Sequence, residues 1–174
     1  MKKTSLILIA TLFFLSCQNK IKLKKNDDIN KIVEIVITED SSNDLKYSRL
    51  CIDLKKIKVS DLLNEKINGE IFFSSKDSLA IIAQNANPKK FKISEIIIDN
   101  FNTTTIQEEM ANREKGKGNC FYQMSIPIFS LNKQKAYLQL DYSCGSLCGY
   151  GMEIYLKKVN GIWKVIEKHR TRIS

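Results

Sequence analysis

Histidine is nearly missing from this 174-residue chain: there is one, His169. A Ser-His-Asp or Cys-His site would have to use it. It sits in Lys168-His169-Arg170, a basic stretch that reads as an exposed tail beyond the last strand. No G-x-S-x-G, H-E-x-x-H, P-loop or strand-linked G-x-G-x-x-G pattern is present. The sequence therefore assigns no catalytic residues, no metal ligands and no cofactor. Glycine and proline are also scarce, at 7 and 2 residues, which excludes a collagen-like or low-complexity chain. No apolar run reaches the ~18 residues of a membrane-spanning helix.

What the chain does have begins with an address. Lys2 and Lys3 precede a mostly apolar run, Leu6 to Leu15, too short to span a bilayer and suited to the core of a secretory signal. The run ends Phe14-Leu15-Ser16-Cys17, which resembles a bacterial lipobox. Phe14 stands where Leu is usual, and Leu15 where a smaller residue is common. The expected organisation is a signal peptide over 1–16, a lipid-anchored tether over 17–28 and one domain over 29–174. Cys17 would carry the diacylglyceryl group and, after cleavage, a second acyl chain such as palmitate. Two chains give the stable anchoring that one cannot. The expected location is the bacterial cell envelope, at the outer rather than the inner membrane. The expected first partner is the membrane itself.

The mature chain has 26 Lys and Arg against 19 Asp and Glu, a formal +7. Residues 101–174 carry most of it, 11 basic against 6 acidic. Basic balance fits nucleic acid, anionic lipid or an acidic polymer. No basic stripe interleaved with aromatics is present, so nucleic acid is set aside. An envelope protein or an anionic polymer remains as the expected partner.

Periodicity predicts an α+β domain: N-terminal helices packed on a curved antiparallel sheet that ends in a four-stranded meander. Ile29–Ile37 reads as a helix, with Asp27 and Asp28 suited to its first turn. Ser48–Val59 alternates as a strand. Ser60 caps a short helix that Gly69 ends, and Ile71–Phe73 reads as a strand. Ser74 to Asp77 resembles a capping box before a helix whose apolar positions are Leu79, Ile82 and Ala83, stopped by Pro88. Phe91–Asp99 reads as a strand, and Asn102–Asn119 as an exposed connection with a helical turn at Gln107–Asn112. The meander strands are Phe121–Phe129, Lys135–Ser143, Gly151–Lys158 and Ile162–Lys168. Asn160-Gly161 forms a two-residue hairpin turn that pairs Leu156 with Val165 and Lys158 with Trp163. Lys157 then lies opposite Lys164, so that face should be solvated at its middle. Pro127 makes the first meander strand an edge or a bulged one.

The segment with chemistry is Cys144-Gly145-Ser146-Leu147-Cys148-Gly149-Tyr150-Gly151. In an exported protein the four cysteines after Cys17 are free to pair. The first expectation is a Cys144–Cys148 disulfide stapling the Gly-rich turn. The alternative is Cys120–Cys144: a symmetric loop after Phe129 sets Met124 opposite Leu140 and Cys120 opposite Cys144. Cys51 is then a buried small hydrophobe or a partner for Cys120. Tyr142, Tyr150 and Trp163 are candidates to line a concave pocket.

The run from Pro127 to Val165, with its P-x-F-S, C-G-x-L-C-G-x-G and G-x-W segments, resembles a family of small uncharacterised bacterial lipoproteins and exported proteins. The resemblance implies an exported domain with an NTF2-like or similar curved sheet. The expected function is a non-catalytic, lipid-anchored envelope domain that binds a protein partner or a small ligand. The alternative is a redox or metal-binding protein that uses the Cys144/Cys148 loop.

Overall fold

A computed structural model of the protein describes residues 27–39, 48–145 and 148–173, with side chains to 171. The expected signal peptide, Cys17, the tether up to residue 26, and Ser146 and Leu147 lie outside the described residues.

The fold is α+β. Helix α1 spans residues 27–39 and so includes Asp27 and Asp28, the last two residues of the expected tether. Ile29, Ile32, Val33, Val36 and Ile37 recur at i, i+3, i+4, i+7 and i+8 and are all buried. That stripe overrides the β preference of Ile and Val, because one helical face buries every one of them. The exposed face carries Lys31, which pairs with Asp27 at 2.6 Å. Asp28 accepts hydrogen bonds from Trp163 Nε1 (3.1 Å) and Lys158 Nζ (3.3 Å). Burial works against its charge, but these two donors outweigh it and hold the carboxyl below its ordinary range.

The main sheet is built from β1 (Arg49–Lys55), β4 (Thr103–Thr104), β5 (Phe121–Ser125), β6 (Ile128–Phe129), β7 (Lys135–Cys144), β8 (Cys148–Val159) and β9 (Ile162–Ile173). Its order is β4-β1-β5-β7-β8-β9, with β6 also on β7. β5 to β9 form the expected antiparallel meander. The sheet is mixed, however, and not antiparallel throughout: β1 runs parallel to both β4 and β5. The long connection between β1 and β5 permits this, as a parallel pair requires a crossover. One described helix, α1, precedes the sheet; the other three lie within that crossover.

The register of β5 on β7 is the symmetric one: Tyr122 opposes Tyr142 and Met124 opposes Leu140. At β6 it slips by one, so that Ile128 opposes Tyr137 instead of Ala136. Pro127 has no N–H for a ladder, and the break falls there. The buried hydroxyl of Ser125 fills the gap, accepting from Gln139 N at 2.8 Å and donating to the Ile126 carbonyl. β5 lies between β1 and β7, so it is bulged but not an edge.

One face of the meander carries Tyr122, Met124, Leu138, Leu140, Ile154, Leu156 and Trp163, all buried. Helix α1 covers it, as the Asp28–Trp163 bond shows. The opposite face is covered too. Helix α4 (Ile106–Glu114) lies over its β1 side, where Arg113 stacks on Phe121 and bonds Ser143. At its other end sits a small hairpin, β2 (Lys66–Ile67) and β3 (Glu70–Ile71). Phe72 meets Tyr155 edge-on at 5.1 Å, and Tyr155 meets Tyr137 at 5.0 Å. The face expected to be solvated is therefore capped. Its lysine row, Lys135–Lys157–Lys164 across three strands, explains how. Lys135 turns its ammonium onto the Phe72 and Ile71 carbonyls, and Lys157 approaches Glu70 at 3.5 Å. The hairpin thus supplies acceptors where like charges crowd.

The predicted capping box, with Asp77 accepting from Ser74 N, opens the 3-10 turn Ser75–Asp77 that leads into helix α2 (Ser78–Asn85). Its faces are reversed from expectation. Leu79 and Ile82 are 79% and 54% exposed, while Ile81 is fully buried. Polar contacts set this orientation. Gln84 bonds both main-chain groups of Phe129, and Asn85 both of Ile57. The expected strand at Phe91–Asp99 is instead an irregular stretch, following the 3-10 turn Pro88–Lys90, and then a short helix α3 (Glu95–Ile98), begun where Ser94 N donates to Asn30 of α1.

Candidate functional site

A groove of about 1750 Å³ lies between the first turn of α1, the 89–98 segment, the start of α4 and the second half of β1. β4 pairs with β1 only at Leu50 and Cys51. Beyond them, Ile52 to Lys55 run along the groove with no strand neighbour on that side among the described residues. The chain leaves β4 because α4 starts at once. Thr105 caps it, accepting from Glu108 N, while Glu108 accepts from Thr105 N in return. The Thr105 main chain holds the Glu108 carboxyl below its ordinary range. Asp53 of β1 accepts from Ile106 N at 2.9 Å and fastens the helix start to the strand.

Beneath the rim, β1 and α4 are locked together. Glu109 is buried, and its Oε1 accepts from Arg49 (2.7 Å) and Thr104 (2.8 Å). Removing one partner of such a pair leaves the other charge buried, at a cost of about 3–5 kcal/mol. Cys51 is buried beside Thr104 and forms no disulfide; its thiol donates to the Asp53 carbonyl at 3.9 Å, and burial pushes it up to about 11. It is inert filling, one of the two roles expected for it. The groove walls mix apolar Ile52, Phe91, Ile98 and Ile106 with charges of both signs. They are suited to holding a ligand by main-chain hydrogen bonds and side-chain packing.

The structure separates most of the residues that the sequence grouped. Tyr142 and Tyr150 do meet, with ring centroids 5.2 Å apart. Trp163 is elsewhere: it opposes Lys158, eight residues along β8 from Tyr150, or about 27 Å at strand spacing. It packs on Phe129 and under Lys158. The third aromatic beside the two tyrosines is Tyr122, whose hydroxyl lies 2.8 Å from that of Tyr150. The β5–β7 register places it opposite Tyr142, so it was findable from the same symmetry that aligned Cys120 with Cys144. Arg170 stacks on Tyr150.

The disulfide joins Cys144 to Cys120, with Cα atoms 4.1 Å apart, and leaves Cys148 exposed and unbonded. Cys148 opposes Cys144 across the β7–β8 hairpin, but the continuing β5–β7 register brings Cys120 to Cys144 from the other side. The Cys144–Cys148 staple is therefore replaced by the alternative pairing. His169 is not in a tail. β9 runs on to Ile173, and His169 lies on it directly opposite Glu153.

No protein-family model, no curated protein and no solved structure matches the chain.

Proposed function

We propose that this is a non-catalytic domain of the bacterial cell envelope, lipid-anchored at Cys17 on the outer membrane, that binds an extended segment of a partner protein. The observation that carries the binding reading is the open half of β1, Ile52–Lys55, facing a groove. An unpaired strand edge offers main-chain donors and acceptors to an added strand, and neighbouring side chains then select its sequence. The groove volume favours a polypeptide over a small ligand, since small-molecule sites enclose roughly 300–1,000 Å³. Another cleft, of about 230 Å³ beside Pro127 and Phe129, falls below that range. The lysines ahead of Leu6 and the Ser16-Cys17 site support the anchor.

The test places a photo-crosslinking residue at Lys92 or Gln107 on the groove rim, and at Leu79 or Lys164 away from it, in intact cells. The expected result is one adduct of fixed mass from the rim positions only, with slowed amide exchange over 52–55 when that partner is added to the pure protein. Adducts from all four positions alike, or none, overturn the binding reading. Loss of palmitate labelling in Cys17→Ala tests the anchor separately.

A further inference from the structure

The single histidine meets two carboxylates from distant parts of the chain. Glu153 of β8 and His169 of β9 are ladder partners. Glu65, in the loop just before β2, is brought over them by the hairpin that caps this face. One ligand-capable atom from each residue lies within 4.8 Å of the others. A third carboxylate, Glu167, is 3.4 Å from His169 Nε2.

Among the described side chains, no Lys or Arg forms an ion pair with Glu65 or Glu153. This is notable in a chain of formal charge +9. Two converging carboxylates repel one another unless a proton or a cation sits between them. The floor of the cluster is built to orient them. Tyr155 is fully buried, its hydroxyl 3.4 Å from Glu153 and its ring 5.6 Å from the imidazole. Donors of this kind fix the ligand oxygens from behind, as outer-sphere partners of metal ligands do.

We propose that Glu65, Glu153 and His169 form a binding site for a borderline divalent transition-metal ion, with zinc as its probe. One imidazole and two carboxylates suit zinc or manganese better than calcium, which takes six to eight oxygens. The site joins the hairpin cap to strands β8 and β9, so occupancy ties the cap to the sheet.

The chain has one histidine, so the imidazole signals in a proton–nitrogen NMR spectrum report on this site alone. Zinc is titrated into the chelator-treated full chain carrying Cys148→Ser, which removes the exposed thiol as a competing ligand. The expected result is a saturable 1:1 shift of the imidazole signals and a raised melting temperature. Glu153→Gln and Glu65→Gln should each weaken zinc at least tenfold, while Glu70→Gln, in the same hairpin, should not. Glu65→Gln changes a loop residue and keeps the readout if Glu153→Gln fails to fold. No saturable imidazole shift, or binding unchanged in both variants, overturns the proposal.

Discussion

The β7–β9 meander and the crossover over residues 56–119 are built on different rules. The meander strands are 10, 12 and 12 residues long, and each pairs with its neighbour in sequence. In the crossover the longest element is the nine-residue α4, and several are two to four residues. Those pieces are held by single polar side chains on distant main chain: Gln84 on Phe129, Asn85 on Ile57, Asp77 on Leu131 and Asn30 on Ser94. Asp77 shows the strength of such a contact. Burial opposes its charge, yet the Leu131 and Ser74 N–H groups hold its carboxyl below the ordinary range. Regular pairing spreads stability over a ladder, whereas the crossover concentrates it in a few contacts.

The largest expected effect lies at the seam. Cys120 directly follows the crossover and Cys144 ends β7, at a sequence separation of 24. Loop-closure entropy for that separation is worth about 3.5 kcal/mol. Cys120→Ser should lower unfolding free energy by roughly that amount in denaturant titration, and Cys148→Ser by less than about 0.5 kcal/mol. If the two variants lost equal stability, both cysteines would be structural and the pairing read here would fail. Alkylation of the folded protein should correspondingly label Cys148 and spare Cys51.

How far the sequence was readable follows the same division. In the meander, hydrophobic alternation and a turn dipeptide act between neighbours, so the Leu156–Val165 and Lys158–Trp163 pairs were visible beforehand. The crossover was not: the orientation of α2 depends on what Gln84 and Asn85 find in space, and no period records that. Leu79 and Ile82 imitate a buried stripe because spacing alone cannot say which face is covered. The Glu65, Glu153 and His169 cluster was illegible for the same reason, since its members come from three separated segments. The groove depends on where β4 stops, and two residues of pairing leave no sequence pattern.

Glycine tests the comparison more finely. Asn68-Gly69 and Asn160-Gly161 are the same dipeptide in the same backbone shape, with Asn φ of 52° and 51° and Gly φ of 81° and 80°. Only the second reads as a hairpin in the sequence, because long alternating strands flank it; the first reads as a helix end. A Cβ at either glycine meets nothing within 4 Å, so alanine adds only the cost of left-handed backbone, about 1–2 kcal/mol. Gly69→Ala and Gly161→Ala should therefore lose equal stability within about 0.5 kcal/mol. A much smaller loss at Gly69 would mean that the β2–β3 hairpin opens independently of the sheet, and that Phe72 and Lys135 do not bind it as tightly as their contacts suggest.

The smallest expected effect falls on the helix that misled the apolar pattern. Leu79→Ser and Ile82→Ser remove side chains already in water, so each should change the unfolding free energy by less than about 0.5 kcal/mol. Ile81→Ala, one residue away and fully buried, should cost about 2–5 kcal/mol. That contrast separates adjacent isoleucines chiefly by their burial. A loss above 1 kcal/mol in Ile82→Ser would show that the outer face of α2 is covered in solution, and would make Leu79 and Ile82 part of an interface instead of an accident of composition.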